Sequence, residues 1–234
     1  MLKRFFIFLP LLLIALFFSC SPVNKIIHSD EVLKWEGDMQ VFDSLNAVEF
    51  ADENTLLLAG SSSVRIWRDI QTDLAPFQVM QRGYGGAKLS DFNYYVDRII
   101  KPQPFKAILI FVANDIAGRD QDSSPKEVFQ LYKALVKQVQ QRNPDTPLFW
   151  IEVTPTPSRW EASEQIREAS ALIRSHCDRN EDLYFLDTYD VFMNQEALPD
   201  SALFRDDMLH LNQDGYQLWS ETILEALEEE GITP

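Results

Sequence analysis

The sequence predicts a doubly wound α/β domain, with a five-stranded parallel sheet between helices in three α/β/α layers. Short apolar runs rich in Ile, Val, Leu and Phe recur along the chain, and each is followed by a stretch with helical apolar spacing. The runs are largely continuous in apolar residues instead of alternating, as strands covered on both faces should be. At 234 residues, 46% hydrophobic and 24% charged, the chain has the length of one domain and can bury a core without disulfides or structural metal.

Residues 55–59 (TLLLA) form the first expected strand, with a helix over 64–71. Residues 77–80 form the second, and Phe92, Tyr95, Val96 and Ile99 share one face of a helix over 90–100. Residues 106–112 (KAILIFV) form the third. Ser124-Pro125-Lys126-Glu127 then reads as a capping box with Pro at the first helical position. The helix it opens runs to about Gln141 and buries Val128, Leu131, Tyr132, Leu135 and Val139. Residues 147–153 (PLFWIEV) form the fourth strand, 161–176 a helix and 183–187 (LYFLD) the fifth strand. Asn212 caps a last helix carrying Tyr216, Trp219, Ile223 and Leu227. Its acidic end, residues 225–230, opposes the helix dipole, which predicts fraying there.

The first twenty residues read differently. Lys3 and Arg4 precede an apolar run over 5–18, whose length as a helix is about 21 Å, short of a hydrocarbon core of roughly 30 Å. That length suits the apolar stretch of a secretory signal. The run ends Leu16-Phe17-Phe18-Ser19-Cys20, which resembles the lipobox of bacterial lipoproteins. The expectation is a signal peptide over 1–19, a lipidated tether over 20–31 that begins at Cys20, and a folded domain over 32–234. Such a protein is exported and held at a periplasmic or cell-surface face by its lipid. A plain cleaved signal and an uncleaved anchor are the alternatives.

Lys+Arg 21 against Asp+Glu 36 gives a formal charge of -15, and loss of Lys3 and Arg4 with the signal would make it -17. That balance excludes nucleic acid and an anionic membrane surface as main partners, since both need a basic face. Three histidines leave little room for a multi-histidine metal site. With Cys20 lipidated, Cys177 has no disulfide partner and is expected to be a packed thiol.

Ligands of doubly wound sheets bind beyond the carboxyl ends of the strands. The first expected strand is followed there by Gly60-Ser61-Ser62-Ser63, the second by Gly83-Tyr84-Gly85-Gly86 and the third by Ala113-Asn114-Asp115. About twenty residues past the fifth comes Asp206-Asp207-Met208-Leu209-His210. Together they supply a nucleophile, oxyanion donors and a base with its orienting carboxylate, the parts of an acyl-transfer site. Each part alone has a plainer explanation: a helix cap, a tight turn, a turn amide, or polar residues on one helical turn. Of the histidines, His28 lies in the tether and His176 closes a helix. His210 alone both follows a strand and has a carboxylate at pairing distance in sequence.

These residues resemble the blocks of the SGNH (GDSL-type) hydrolase superfamily, in order along nearly all of the mature chain. The stretch 155–160 (PTPSRW) resembles its lipoprotein branch related to platelet-activating-factor acetylhydrolase-like esterases. The resemblance implies a flavodoxin-like sheet and a nucleophile at Ser62, with Ser61 in place of the usual Asp. It implies Asp207 and His210 as the other catalytic residues, and an oxyanion hole of Ser62, Gly86 and Asn114. No metal or organic cofactor is implied. Val112 replaces the glycine expected two residues before Asn114, which would crowd the site or alter its loop. Arg65, Tyr84, Arg159 and Trp160 are candidates for the substrate-binding cleft, with packing or surface ion pairs as their alternative. The expected activity is hydrolysis of small acyl esters on glycans or lipids, as a carbohydrate acetylesterase or lysophospholipase. A non-catalytic glycan-binding lipoprotein on the same fold is the rival, and a metal-dependent hydrolase around Asn114, Asp115 and His210 a third reading.

Overall fold

The computed structural model describes residues 22–27 and 29–234; the expected signal peptide, Cys20 and His28 lie outside the described residues. In chain order the helices and strands are α1 (Pro22–Ile27), α2 (Glu36–Asn46), β1 (Thr55–Gly60), α3 (Ser62–Arg65), α4 (Ile70–Asp73), β2 (Gln78–Gly83) and α5 (Leu89–Ile99). There follow β3 (Ala107–Phe111), α6 (Pro125–Arg142), β4 (Leu148–Ile151), α7 (Ser163–Cys177), β5 (Leu183–Leu186) and α8 (Gln213–Glu229). The five strands are all parallel in the order β2-β1-β3-β4-β5, the flavodoxin-like order. Its switch point lies between β1 and β3, so the crevice opens where Ser61 and Asn114 leave the sheet.

Alternate strand residues feed two apolar layers. Leu57, Ala59, Ile108, Ile110, Leu148 and Trp150 pack with α5, α6 and α7. Leu56, Leu58, Ala107, Leu109, Phe149 and Ile151 pack with α4 and α8. Each fully buried Leu or Ile contributes about 1.5–3 kcal/mol before the entropy of ordering is set against it. Ser124 caps α6 reciprocally with Glu127, whose N–H it accepts at 3.3 Å while its own N–H donates to Glu127 Oε2 at 2.8 Å.

Four expectations are corrected. The helix over 64–71 is instead two short turns, α3 and α4. The second strand runs on through Arg82 to Gly83, because the buried Arg82 guanidinium is neutralised by Glu49 at 2.7 Å and hydrogen-bonded to Asn46. The stretch read as a tether is packed: α1 buries Ile27, with Val23 and Ile26 against the same core layer, and α2 follows without a sequence signal of its own. Finally, α8 stays helical to Glu229. Gly231, at φ +71°, donates to Glu228 O at 2.9 Å and Ile232 to Leu227 O at 2.8 Å, a Schellman closure that satisfies the last carbonyls.

Candidate active site

Gly60 ends β1 at φ +157°, and an added Cβ would stand 2.0 Å from Phe111 O. Only glycine lets the chain leave the sheet so close to β3. Ser61 N–H then donates to Phe111 O at 2.9 Å, and Ser62 becomes the first residue of α3. Its N–H is therefore among those that a helix start leaves without an intrahelical acceptor.

Ser62 Oγ lies 2.9 Å from His210 Nε2, and His210 Nδ1 lies 2.6 Å from Asp207 Oδ2. A carboxylate can only accept, so Nδ1 carries the ring proton and Nε2 is left to accept from the Ser62 hydroxyl. At Asp207 the chain makes an Asx-type turn and no helical turn. Asp207 Oδ1 accepts from Leu209 N at 3.0 Å and His210 N at 2.9 Å, and Met208 adopts φ +53°. Desolvation alone would raise the Asp207 pKa, but the His210 backbone N–H, the His210 ring and the Leu209 N–H outweigh it and hold the group at about 2. Hydroxyl, imidazole and carboxylate thus form one hydrogen-bonded series, an arrangement able to draw the proton from Ser62.

The cleft around Ser62 is narrow, with a volume of about 20 Å³. Asn114 and Arg159 line it together with Ser61, Thr154 and Thr156, and Phe204, Leu211 and Trp219 supply apolar wall. Thr154 Oγ1 is buried there with no hydrogen-bond partner among the described residues. The two threonines follow β4, so the strand-end rule could have found them. The apolar walls carry no signal that separates them from core. Asn114 Nδ2 donates to Ala87 O at 2.9 Å, which pins the segment next to Gly86 against the end of β3. Gly86 itself, at φ +72°, stands against Trp35.

Other candidates fall elsewhere. Tyr84 does not reach the cleft: its ring is fully buried among Trp35, Phe42 and Phe92, because the chain after β2 turns it into the α5 side of the core. Trp160 lines an adjoining groove that shares Val153, Thr156 and Arg159 with the cleft. Arg65 is exposed and its guanidinium lies beside Gly85. Val112 is buried in the α6–α7 layer, so it does not crowd Ser62. His176 packs on Phe129 and Tyr132, where burial lowers its pKa and favours the neutral ring over the cation expected at a helix end. Cys177 is buried with its sulfur 3.2 Å from the Tyr132 hydroxyl. Asp115 turns away from the cleft to accept from Leu89 N, separating it from Asn114 and His210. Among the described residues no three His, Cys, Asp or Glu side chains converge as metal ligands.

Two buried carboxyls near the site are held toward their neutral form. Desolvation raises Asp115 to about 7 against the opposing Leu89 N–H, and raises Glu152 to about 7 with help from its hydrogen bond to Asp187. Both folded values exceed the unfolded ones, so the stability they confer is complete below about pH 4 and is lost as pH rises through about 7. Glu152→Gln preserves the neutral group's donor and acceptor. It is expected to melt close to wild type at about pH 5 and about 3 °C or more above it at about pH 8, by thermal melts at both.

The profile of the GDSL-like Lipase/Acylhydrolase family matches residues 52–218, which contain Ser62, Asn114, Arg159, Asp207 and His210. Among solved structures, a protein from Streptococcus pneumonia named for platelet activating factor superposes with TM-score 0.74 at 19% identity, over 84% of this chain and 94% of that chain. A Bacteroides fragilis protein named as an acylhydrolase gives 0.70 at 19% identity, over 82% and 96%. An acetyl xylan esterase gives 0.60 at 20% identity, over 74% and 99%. At these identities the likeness is one of fold. No curated protein sequence matches. The family match covers most of the chain and carries the assignment: this chain belongs to the GDSL-like lipase/acylhydrolase family and is an enzyme acting on ester bonds.

Proposed function

We propose that the chain hydrolyses short acyl esters of polar alcohols, acetyl esters of carbohydrates foremost, through Ser62, His210 and Asp207. Ser62 Oγ attacks the ester carbonyl as His210 Nε2 takes its proton, and Asp207 holds the ring tautomer and stabilises the imidazolium. The tetrahedral oxyanion is met by the N–H groups of Ser62 and Gly86 and by Asn114 Nδ2; loss of one such donor typically costs about 2.7–4 kcal/mol. The imidazolium then returns its proton to the leaving alcohol. Water, activated by the same ring, releases the acid and restores Ser62.

What carries the reading is the unbroken series from Ser62 through His210 to Asp207, at 2.9 and 2.6 Å. Two features support short acyl groups on polar alcohols. The cleft is narrow, and Ser61, Asn114, Thr154, Thr156 and Arg159 line it beside apolar wall from Phe111, Phe204, Leu211 and Trp219. The fold likeness to an acetyl xylan esterase agrees with a carbohydrate substrate. p-Nitrophenyl acetate is expected to exceed the octanoate by about tenfold or more in kcat/KM, a difference of about 1.4 kcal/mol. Acetate should also be released from acetylated oligosaccharides. Preference for the octanoate would turn the reading toward acyl lipids. No hydrolysis of either ester, with glycan binding retained, would favour a non-catalytic capture role.

We also propose export as a lipoprotein. In sequence, Ser21 alone separates Cys20 from α1, which begins at Pro22.

A further inference from the structure

Arg159 is a cation drawn largely out of water, and none of its nitrogens has a carboxylate within 4 Å among the described residues. Desolvation, with Arg119 nearby, pulls its pKa down to about 10 against the opposing attraction of Asp122. A cation without a close ion-pair partner in such a place is costly, so its hydrogen bonds show what the protein gains from it. Both go to the end of β3: Nη1 donates to Ala113 O, and Nη2 donates to Asn114 Oδ1 at 2.7 Å.

Those contacts set the orientation of the Asn114 amide. A guanidinium only donates, so it must face the amide oxygen; Ala87 O only accepts, so it must face the amide nitrogen, which donates to it at 2.9 Å. Rotating the amide by half a turn would break both contacts at once. With the amide held this way, one N–H of Nδ2 is engaged by Ala87 and the other is left for the oxyanion.

We propose that Arg159 is a positioning residue, fixing and polarising the Asn114 amide so that its second N–H meets the oxyanion. The inference rests on the esterase reading above. The guanidinium acts through Asn114 without touching the reacting atoms. Its positive charge draws electron density toward Oδ1 and makes Nδ2 a stronger donor as negative charge develops.

The test is a double-mutant cycle in the purified protein with p-nitrophenyl acetate, using Arg159→Met, Arg159→Lys, Asn114→Ala and Arg159→Met/Asn114→Ala. Arg159→Met is expected to lower kcat by about 10²-fold with KM within about twofold, since the lost interaction belongs to the transition state. Arg159→Lys, which can still donate to Oδ1, should recover part of that loss. In the Asn114→Ala background the Arg159→Met change should cost less than about threefold, because there is no amide left to orient. Losses that multiply, or an effect confined to KM, would overturn the proposal in favour of direct substrate contact. Should Arg159→Met fail to fold, Arg159→Lys with and without Asn114→Ala gives the same comparison. A wild type that neither turns over the ester nor labels with a fluorophosphonate would overturn the esterase reading itself, an outcome distinct from multiplying losses.

Discussion

Ser62→Ala is expected to lower ester turnover by about 10⁴–10⁶-fold and to abolish the single adduct that a fluorophosphonate forms with the wild type. Ser61 and Ser63 flank it, but Ser62 Oγ is the hydroxyl at His210 Nε2. Ser61 is buried at the start of α3, and Ser63 O accepts from the Tyr216 hydroxyl at 2.7 Å. His210→Ala should cost nearly as much, and Ser62→Ala/His210→Ala little more than either, because a nucleophile and its base act as one unit. Intact mass after labelling and rate measurements on the three variants decide it. An adduct that survives Ser62→Ala would assign the nucleophile to another serine. Losses that multiply would mean that His210 does not serve Ser62.

Gly60→Ala is expected to destabilise the fold by about 3 kcal/mol or more. The residue stands at φ +157°, a conformation costly for any side chain, and its new Cβ would lie 2.0 Å from Phe111 O. Relief requires β1 and β3 to part where they deliver Ser62 and Asn114 to the cleft, so activity should fall with stability. Gly37→Ala is the control. It sits within α2 with nothing within 4 Å of its Cβ, and should be neutral or stabilising by up to about 1 kcal/mol. Urea unfolding of both variants separates the two cases. A Gly60→Ala midpoint equal to that of Gly37→Ala would show that the β1–β3 approach has room to adjust.

Much of the layout was legible because it rests on short-range patterns. Residues 56–59 and 107–112 are apolar without a break, as a doubly covered strand requires, and Ser124 and Asn212 cap their helices through bonds three residues away. The first helix expected after β1 was not legible as two turns. Val64, Trp67 and Ile70 keep helical spacing because they face one apolar layer, whatever the path between them. Packing of 22–27 was hidden as well, since Val23, Ile26 and Ile27 gain a surface to bury against only once the core layer behind α5 and α6 exists.

The sequence by itself determined the alternation of strand and helix, and with it the rim on which Ser62, Asn114 and His210 stand. Periodicity, caps and strand-end residues are local quantities, set by spacing along the chain. Only the tertiary structure decided that Tyr84 turns into the core, that Phe204, Leu211 and Trp219 wall the cleft, and that Arg159 reaches Asn114. Those outcomes depend on which distant surfaces meet and how closely. Apolar and cationic side chains carry the same local signature whether they line a site or pack beneath it. Contact across the fold is what gives them a role.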